Sequence, residues 1–140
     1  MENEITYNFL ELRKEINDSI AEHNKYGGWD GVIYNSTTIL AIVMTSLAAL
    51  LPIDVFYLKI ISGIAAMLIA VDRALNWGAR WIYHRQMRHE YLIILAKISF
   101  YENMPKNFTE DEIKTYFMEI YTELYNTRRK EVSMPGVKTG

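Results

Sequence analysis

The chain of 140 residues has no cysteine, which excludes disulfides and thiolate metal sites outright. Its formal net charge is only −2, so no global attraction to nucleic acid is expected. Catalytic and cofactor patterns are missing too: there is no Gly-rich phosphate loop, no nucleophile elbow and no His-Glu-x-x-His stretch. His84 and His89 are five apart, so they fall on different faces of a helix and cannot share a metal, and His23 stands alone. A protein without enzymatic activity, cofactor or metal is expected. The start, Met1-Glu2-Asn3-Glu4, is acidic where a secretory signal needs positive charge, so the first apolar stretch should remain uncleaved. The most informative absence is of charge: residues 32–53 carry no charged side chain.

What is present explains why that gap matters. The mean hydropathy of −0.06 resembles that of a soluble protein, but the average hides clustering. Apolar residues gather in the middle of the chain and charges at both ends. A helix over residues 32–53 spans roughly 30 Å, the thickness of a bilayer hydrocarbon core. Its first third is polar but uncharged (Asn35, Ser36, Thr37, Thr38), and its apolar heart is residues 39–51. Pro52, Ile53 and Asp54 form a turn in which Asp54 can cap the next helix. A second apolar segment, residues 55–71, is interrupted only by Lys59, which can snorkel from the turn end, and is closed by Asp72 and Arg73. Two buried helices of a soluble all-α protein would show similar composition, but such helices are normally shorter than a bilayer span.

The flanks read as amphipathic helices. Ile5, Phe9, Leu12 and Ile16 share one face over residues 5–25. Gly27, Gly28 and Gly31 then punctuate the chain as a turn, with Trp29 and Tyr34 as interfacial aromatics. No proline lies between Asp54 and Pro105, so the second span is expected to continue as one helix to about residue 101. Its water-side part is dense in Arg80, His84, Arg85, Arg88, His89 and Glu90, with a stripe of Tyr91, Leu95 and Ile98. The stretch Pro105-Lys106-Asn107-Phe108 ends it, and Thr109 with Glu112 forms a capping box for a last helix to about residue 129, striped by Ile113, Phe117, Ile120 and Leu124.

The expected fold is therefore all-α: a two-span transmembrane helical hairpin with a long cytosolic helix extension packed against N- and C-terminal amphipathic helices. Residues 1–31 form the cytosolic N-terminal helix and Gly-rich linker, 32–79 the hairpin, 80–132 the cytosolic helical region and 133–140 a disordered tail. The turn lacks Lys and Arg, whereas Lys25, Arg73, Arg80, Arg85 and Arg88 flank the other ends, so both termini are expected in the cytoplasm.

Small residues recur four apart as Ala41, Thr45, Ala49 and as Ser62, Ala66, Ala70, which suits close helix packing within a hairpin and between protomers. A homo-oligomer is expected on that ground. Thr45, Ser46, Ser62 and Asn76 are candidates to line a water path, or else to bond backbone carbonyls within packed helices. Asp72, Arg73 and Arg80 are candidates for a gate or inner mouth, or for interfacial anchors. Trp77 and Trp81 read as an aromatic belt. The run Arg128-Arg129-Lys130 could hold anionic lipid or a nucleotide signal, or be a solvated helix end.

The segment Trp77-Gly78-Ala79-Arg80-Trp81-Ile82-Tyr83-His84-Arg85 resembles the SLATT domain, a bacterial two-transmembrane effector domain. In that family a hairpin is followed by a long helix with a Trp-x-x-x-Arg or Trp-x-x-His-Arg pattern at the membrane edge; Trp81, His84 and Arg85 stand at those places. The continuation Met87-Arg88-His89-Glu90-Tyr91 is similar to the family's charged continuation, and the resemblance covers about residues 7–125. The polar start of the first span and the Asp72-Arg73 pair depart from it. The resemblance implies an oligomeric pore or ion channel of the bacterial inner membrane acting in anti-phage defence. It also implies a trigger such as a nucleotide or oligonucleotide made by a nucleotidyltransferase or reverse transcriptase encoded nearby. The alternative is a non-conducting, membrane-anchored helical adaptor that recruits a partner protein.

Overall fold

A computed structural model describes residues 2–50, 52, 54–103 and 108–133, with residues 2–8, 132 and 133 described by their backbone alone. Among the described residues the chain forms four α-helices: α1 (Glu2–Leu50), α2 (Val55–Leu75), α3 (Trp77–Glu102) and α4 (Glu110–Ser133). Two stretches, Phe9–Leu50 of α1 and α2 itself, are long and apolar enough to cross a membrane. The expected face position of Ile5, the place of Ile53 in the turn, the stop at Pro105 to Asn107, and residues 134–140 of the tail lie outside the described side chains or residues.

The chain divides into two compact units. One comprises residues 1–25 and 84–140, the other Tyr26–Tyr83, and both α1 and α3 contribute a part to each.

In the first unit the stripes foreseen from periodicity meet. Of the expected residues, Phe9, Leu12 and Ile16 of α1, Tyr91 and Ile98 of α3, and Ile120 and Leu124 of α4 are buried, while Leu95, Ile113 and Phe117 are half-buried; Met87 and Ile94 of α3, outside the expected stripe, are buried as well. Each of the three helices thereby buries an apolar stripe within the unit, as an amphipathic helix needs a partner to be stable. At one end Phe9 stacks on Tyr101 at 4.5 Å between centroids and meets Phe117 edge-on at 5.1 Å. Ion pairs cross the surface, Arg13 with Glu102 at 2.5 Å, Lys97 with Glu123 at 2.7 Å, and Arg128 with Glu15. Such exposed pairs typically contribute under about 1 kcal/mol each, so the apolar stripes dominate. The foreseen capping box forms: Glu112 accepts from the Thr109 backbone N–H at 2.8 Å, and the Glu112 N–H donates to Thr109 Oγ1 at 3.4 Å. The bond from the Thr109 backbone N–H, then that from the Thr109 hydroxyl to the same carboxylate oxygen at 2.8 Å, hold the Glu112 carboxyl below its usual range. α4 runs on past residue 129 to Ser133.

Two helix boundaries differ from expectation. The glycine run is not a turn, because α1 passes through Gly27, Gly28 and Gly31 without a break over 49 residues, about 74 Å. Gly31 has a packing reason: a Cβ there would lie 2.8 Å from Cδ1 and Nε1 of the Trp81 indole. Gly78 is used in the same way, its missing Cβ leaving room for the Tyr34 ring 2.8 Å away, and Tyr34 in turn stacks on Trp81. Nor do residues 54–101 form one helix. Asn76 adopts a left-handed conformation (φ 55°) as the C-cap of α2, its N–H donating to Asp72 O, and α3 starts afresh at Trp77. Asparagine is among the few non-glycine residues that adopt this conformation routinely. Asp54 caps α2 as foreseen, its carboxylate accepting from Phe56 N–H at 2.8 Å.

The two glycines that differ most in surroundings separate the packing argument from helix propensity. Gly28→Ala meets open space and should leave stability unchanged or raise it by up to about 1 kcal/mol. Gly31→Ala should lower it by about 1–3 kcal/mol through overpacking against Trp81. Thermal melts of the full chain in detergent, followed by far-UV circular dichroism, check both signs.

Candidate functional site

The residues expected to cross a bilayer are mostly uncovered by protein. Ile39 is 62 % exposed, Leu50 80 % and Met67 67 %, against 5 % for Ala41 and 4 % for Ala65. Ala41 of α1 and Ala65 of α2 are thus the small residues these two stretches do bury. Ala65 was not in either predicted stripe. Ser62, Ala66, Ala70 and Ala49 are exposed.

Between the residue 34–46 part of α1 and the residue 68–73 part of α2 lies an open groove of about 440 Å³. Its walls bring together Thr45, Ser46, Asp72 and Arg73 of the predicted set, with Thr37 and Thr38 from the polar first third of the span. Thr45 donates its hydroxyl to Ala41 O at 2.7 Å and Thr37 to Ile33 O at 2.9 Å, so each satisfies its donor within α1 and keeps acceptor capacity. Asp72 Oδ1 is buried and has no hydrogen-bond partner. A buried acceptor in that condition is costly and attracts a proton, a donor or a cation. The groove does not gather every candidate. Ser62 lies on an exposed face, and Asn76 is occupied as the α2 cap.

Arg80 lies elsewhere, pairing through Nε with Asp30 Oδ2 at 3.2 Å. Asp30 is only 5 % exposed, and a buried carboxylate next to a guanidinium is a paired charge rather than an open mouth. Asp30 went unnoticed in the sequence because it stood in a run of glycines and its partner is far along the chain. Trp81 sits against Gly31 and Tyr34, while His84 is buried in the other unit and Arg85 is on the surface. The three residues of the family-like pattern therefore have three different environments.

The first unit also contains a polar network that spacing did not reveal. His23 is not alone: its Nδ1 lies 2.9 Å from His84 Nδ1, and its Nε2 lies 2.6 Å from Glu131 Oε1. The Tyr91 hydroxyl donates to the same oxygen at 2.8 Å. Three helices thus meet in one hydrogen-bonded chain inside an apolar core. Burial pushes the Glu131 carboxyl up, but the bonds from His23 and Tyr91 outweigh it and hold the group below the usual carboxylate range. Burial, then the bond to Glu131, pushes the Tyr91 phenol up. Two basic residues once considered for an anionic ligand are engaged within the chain, Arg128 with Glu15 and Lys130 with Glu90 at 2.8 Å. Among the described residues no group of three or more His, Asp or Glu side chains is arranged to hold a metal ion.

No family model, curated protein or solved structure matches the chain.

Removing the charge at the centre of the network should be felt at neutral pH. Glu131 has a lowered folded-state value, so its contribution is present at pH 7 and is lost as pH falls through that value. Glu131→Gln should lower stability at pH 7 by about 1–3 kcal/mol and flatten the acid limb of the stability profile. Tyr91→Phe should cost about 1 kcal/mol and weaken that limb without abolishing it, because the bond from His23 to Glu131 remains. Melting temperatures of the full chain between pH 7.5 and about pH 3 check both.

Proposed function

We propose that the protein crosses a bacterial inner membrane twice as a helical hairpin, with both termini in the cytoplasm, and that copies associate into a pore or ion channel. The observation that carries the reading is the pairing of two properties on α1 and α2. Their large apolar side chains are exposed, as lipid-facing residues are, while a polar groove runs between them with an unsatisfied Asp72 oxygen. In hydrocarbon, ionisable side chains mark ion or substrate pathways because they are otherwise too costly to keep. Asp72 and Arg73 would stand at the inner mouth, with Thr45 and Ser46 further along the same path. The exposed Ser62, Ala66 and Ala70 offer the small-residue face on which a neighbouring protomer could pack closely. The Lys and Arg distribution supports the orientation. The SLATT resemblance adds the biological setting, an effector that depolarises an infected cell.

An open path dissipates a potential worth about 2.3 kcal/mol per unit charge per 100 mV. The Arg128 and Lys130 ion pairs leave a nucleotide trigger without an evident cradle at that end of α4, so clustering or a protein partner is the simpler trigger. The second reading, a non-conducting membrane-anchored adaptor, draws support from Thr45. Its hydroxyl is already spent on a carbonyl of its own helix.

Regulated expression with a voltage-sensitive dye separates the two. Conduction predicts depolarisation on induction, reduced by Thr45→Leu or Asp72→Asn at equal membrane abundance. An adaptor predicts an unchanged potential for all three. Recovery of the chain as a dispersed species in buffer without detergent would overturn both.

A further inference from the structure

We propose that the groove between α1 and α2 holds an alkali-metal cation, with the Asp72 carboxylate as its charged ligand and hydroxyl oxygens of α1 as its neutral ones. The proposal rests on the bilayer placement of these two helices put forward above, but not on conduction.

The donors and acceptors that line the groove are unevenly matched. Asp72 Oδ1 is buried and no donor lies within bonding distance of it. Two hydroxyls of the facing helix have already spent their hydrogens. Thr45 donates to Ala41 O at 2.7 Å, and Thr37 shares its hydrogen between Ile33 O at 2.9 Å and Tyr34 O at 3.0 Å. Each can become a donor to Asp72 only by giving up a bond it has, so what remains to it is lone pairs. Thr38 and Ser46 add further hydroxyl oxygens, and apart from Tyr34 the rest of the lining is aliphatic. Arg73 also lines the groove, but consecutive residues of a helix do not face each other, and its exposed guanidinium does not bond Oδ1.

A cavity with one anionic oxygen and several neutral ones is matched by a hard cation, which takes oxygen ligands. The second torsion of an aspartate is broad, so either carboxylate oxygen can be presented to the groove. Charge selects a monovalent ion. One carboxylate balances one unit charge, and in hydrocarbon an unbalanced charge is costly. A divalent ion would leave a net positive charge beside the Arg73 guanidinium, and chloride would meet the carboxylate as a like charge. Size permits the ion to arrive partly hydrated: the groove encloses about 440 Å³, against about 30 Å³ for each water in the liquid. The ion therefore need not exchange its whole hydration shell for protein oxygens.

Thermal melts of the full chain in a non-ionic detergent near neutral pH test the site. Chloride and ionic strength are held constant while N-methyl-D-glucamine is replaced stepwise by sodium, and in a second series by potassium. The melting temperature should rise by about 4 °C for each tenfold increase in at least one of the two ions, once that ion exceeds its dissociation constant. Asp72→Asn should abolish the dependence. In the glucamine salt alone it should melt above the parent, because it removes a charge that nothing there balances. Thr45→Val should keep the dependence but shift it to higher ion concentration. A parent chain that melts alike in all three salts overturns the proposal, Asp72 then being relieved in another way, by a proton for example. So does an ion dependence that survives Asp72→Asn. If Asp72→Asn does not fold, sodium-23 and potassium-39 relaxation decides: saturable broadening by the parent that Thr45→Val weakens supports the site, and broadening that is absent or unchanged in Thr45→Val overturns it. Depolarisation is read separately with the dye. A chain that responds to the ion but leaves the potential unchanged loses the pore reading and keeps the site, and a chain that depolarises cells but ignores both ions does the reverse.

Discussion

Apolar surface that the chain cannot cover by itself is the constraint from which the other features follow. Large apolar side chains such as Ile39, Leu50, Met67 and Leu75 remain exposed on two helices. A soluble protein of this size would bury such residues, since each contributes about 1.5–3 kcal/mol when taken out of water. In the proposed bilayer setting, hydrocarbon would remove the need to bury them and impose another one, that every backbone polar group be bonded within its own segment. The described parts of α1 and α2 meet it by being helical throughout, with Asp54 closing the exposed start of α2 and Asn76 its end. What remains polar between them is confined to one groove, where the hydroxyls of Thr37 and Thr45 are turned onto their own helix.

The unit built from both chain ends is organised differently. Its three apolar stripes cover one another, and its charges are at the surface in pairs. The exception is the chain of Tyr91, Glu131, His23 and His84, a polar network set in an apolar surround. Such networks add little stability over well-packed hydrocarbon, yet they penalise any arrangement that separates their members. They are suited to holding one helix arrangement.

Periodicity made the stripes legible, because residues three and four apart must share a helix face whatever the tertiary structure. Local hydrogen-bond grammar made the Thr109–Glu112 box and the Asp54 cap legible for the same reason: both are settled within a few residues. Long-range pairing was not legible. His23 and His84 are 61 residues apart, and comparing His84 only with His89 on the same helix hid the partner across the bundle. Asp30 and Arg80 escaped in the same way. The glycines misled because their usual meaning is a turn, whereas Gly31 and Gly78 here make space for Trp81 and Tyr34, a need that exists only once the helices are side by side. Of the candidate path residues, Thr45, Ser46, Asp72 and Arg73 do share a groove, and Ser62 and Asn76 do not join it. Asn76 gave one hint, being a residue type that tolerates the left-handed conformation, but without a proline nearby the helix looked continuous despite Gly78 two residues on.

That single left-handed residue has a bearing on descent. A β-branched or aromatic side chain at position 76 would strain the backbone between Leu75 and Trp77, while glycine or aspartate would be admitted. Chains that have inherited this architecture should therefore drift freely at the exposed apolar positions nearby yet vary at this one site only within a narrow alphabet. An unrelated two-span hairpin of similar hydropathy would carry no such restriction, and the identity of one uncharged residue would tell the two lineages apart.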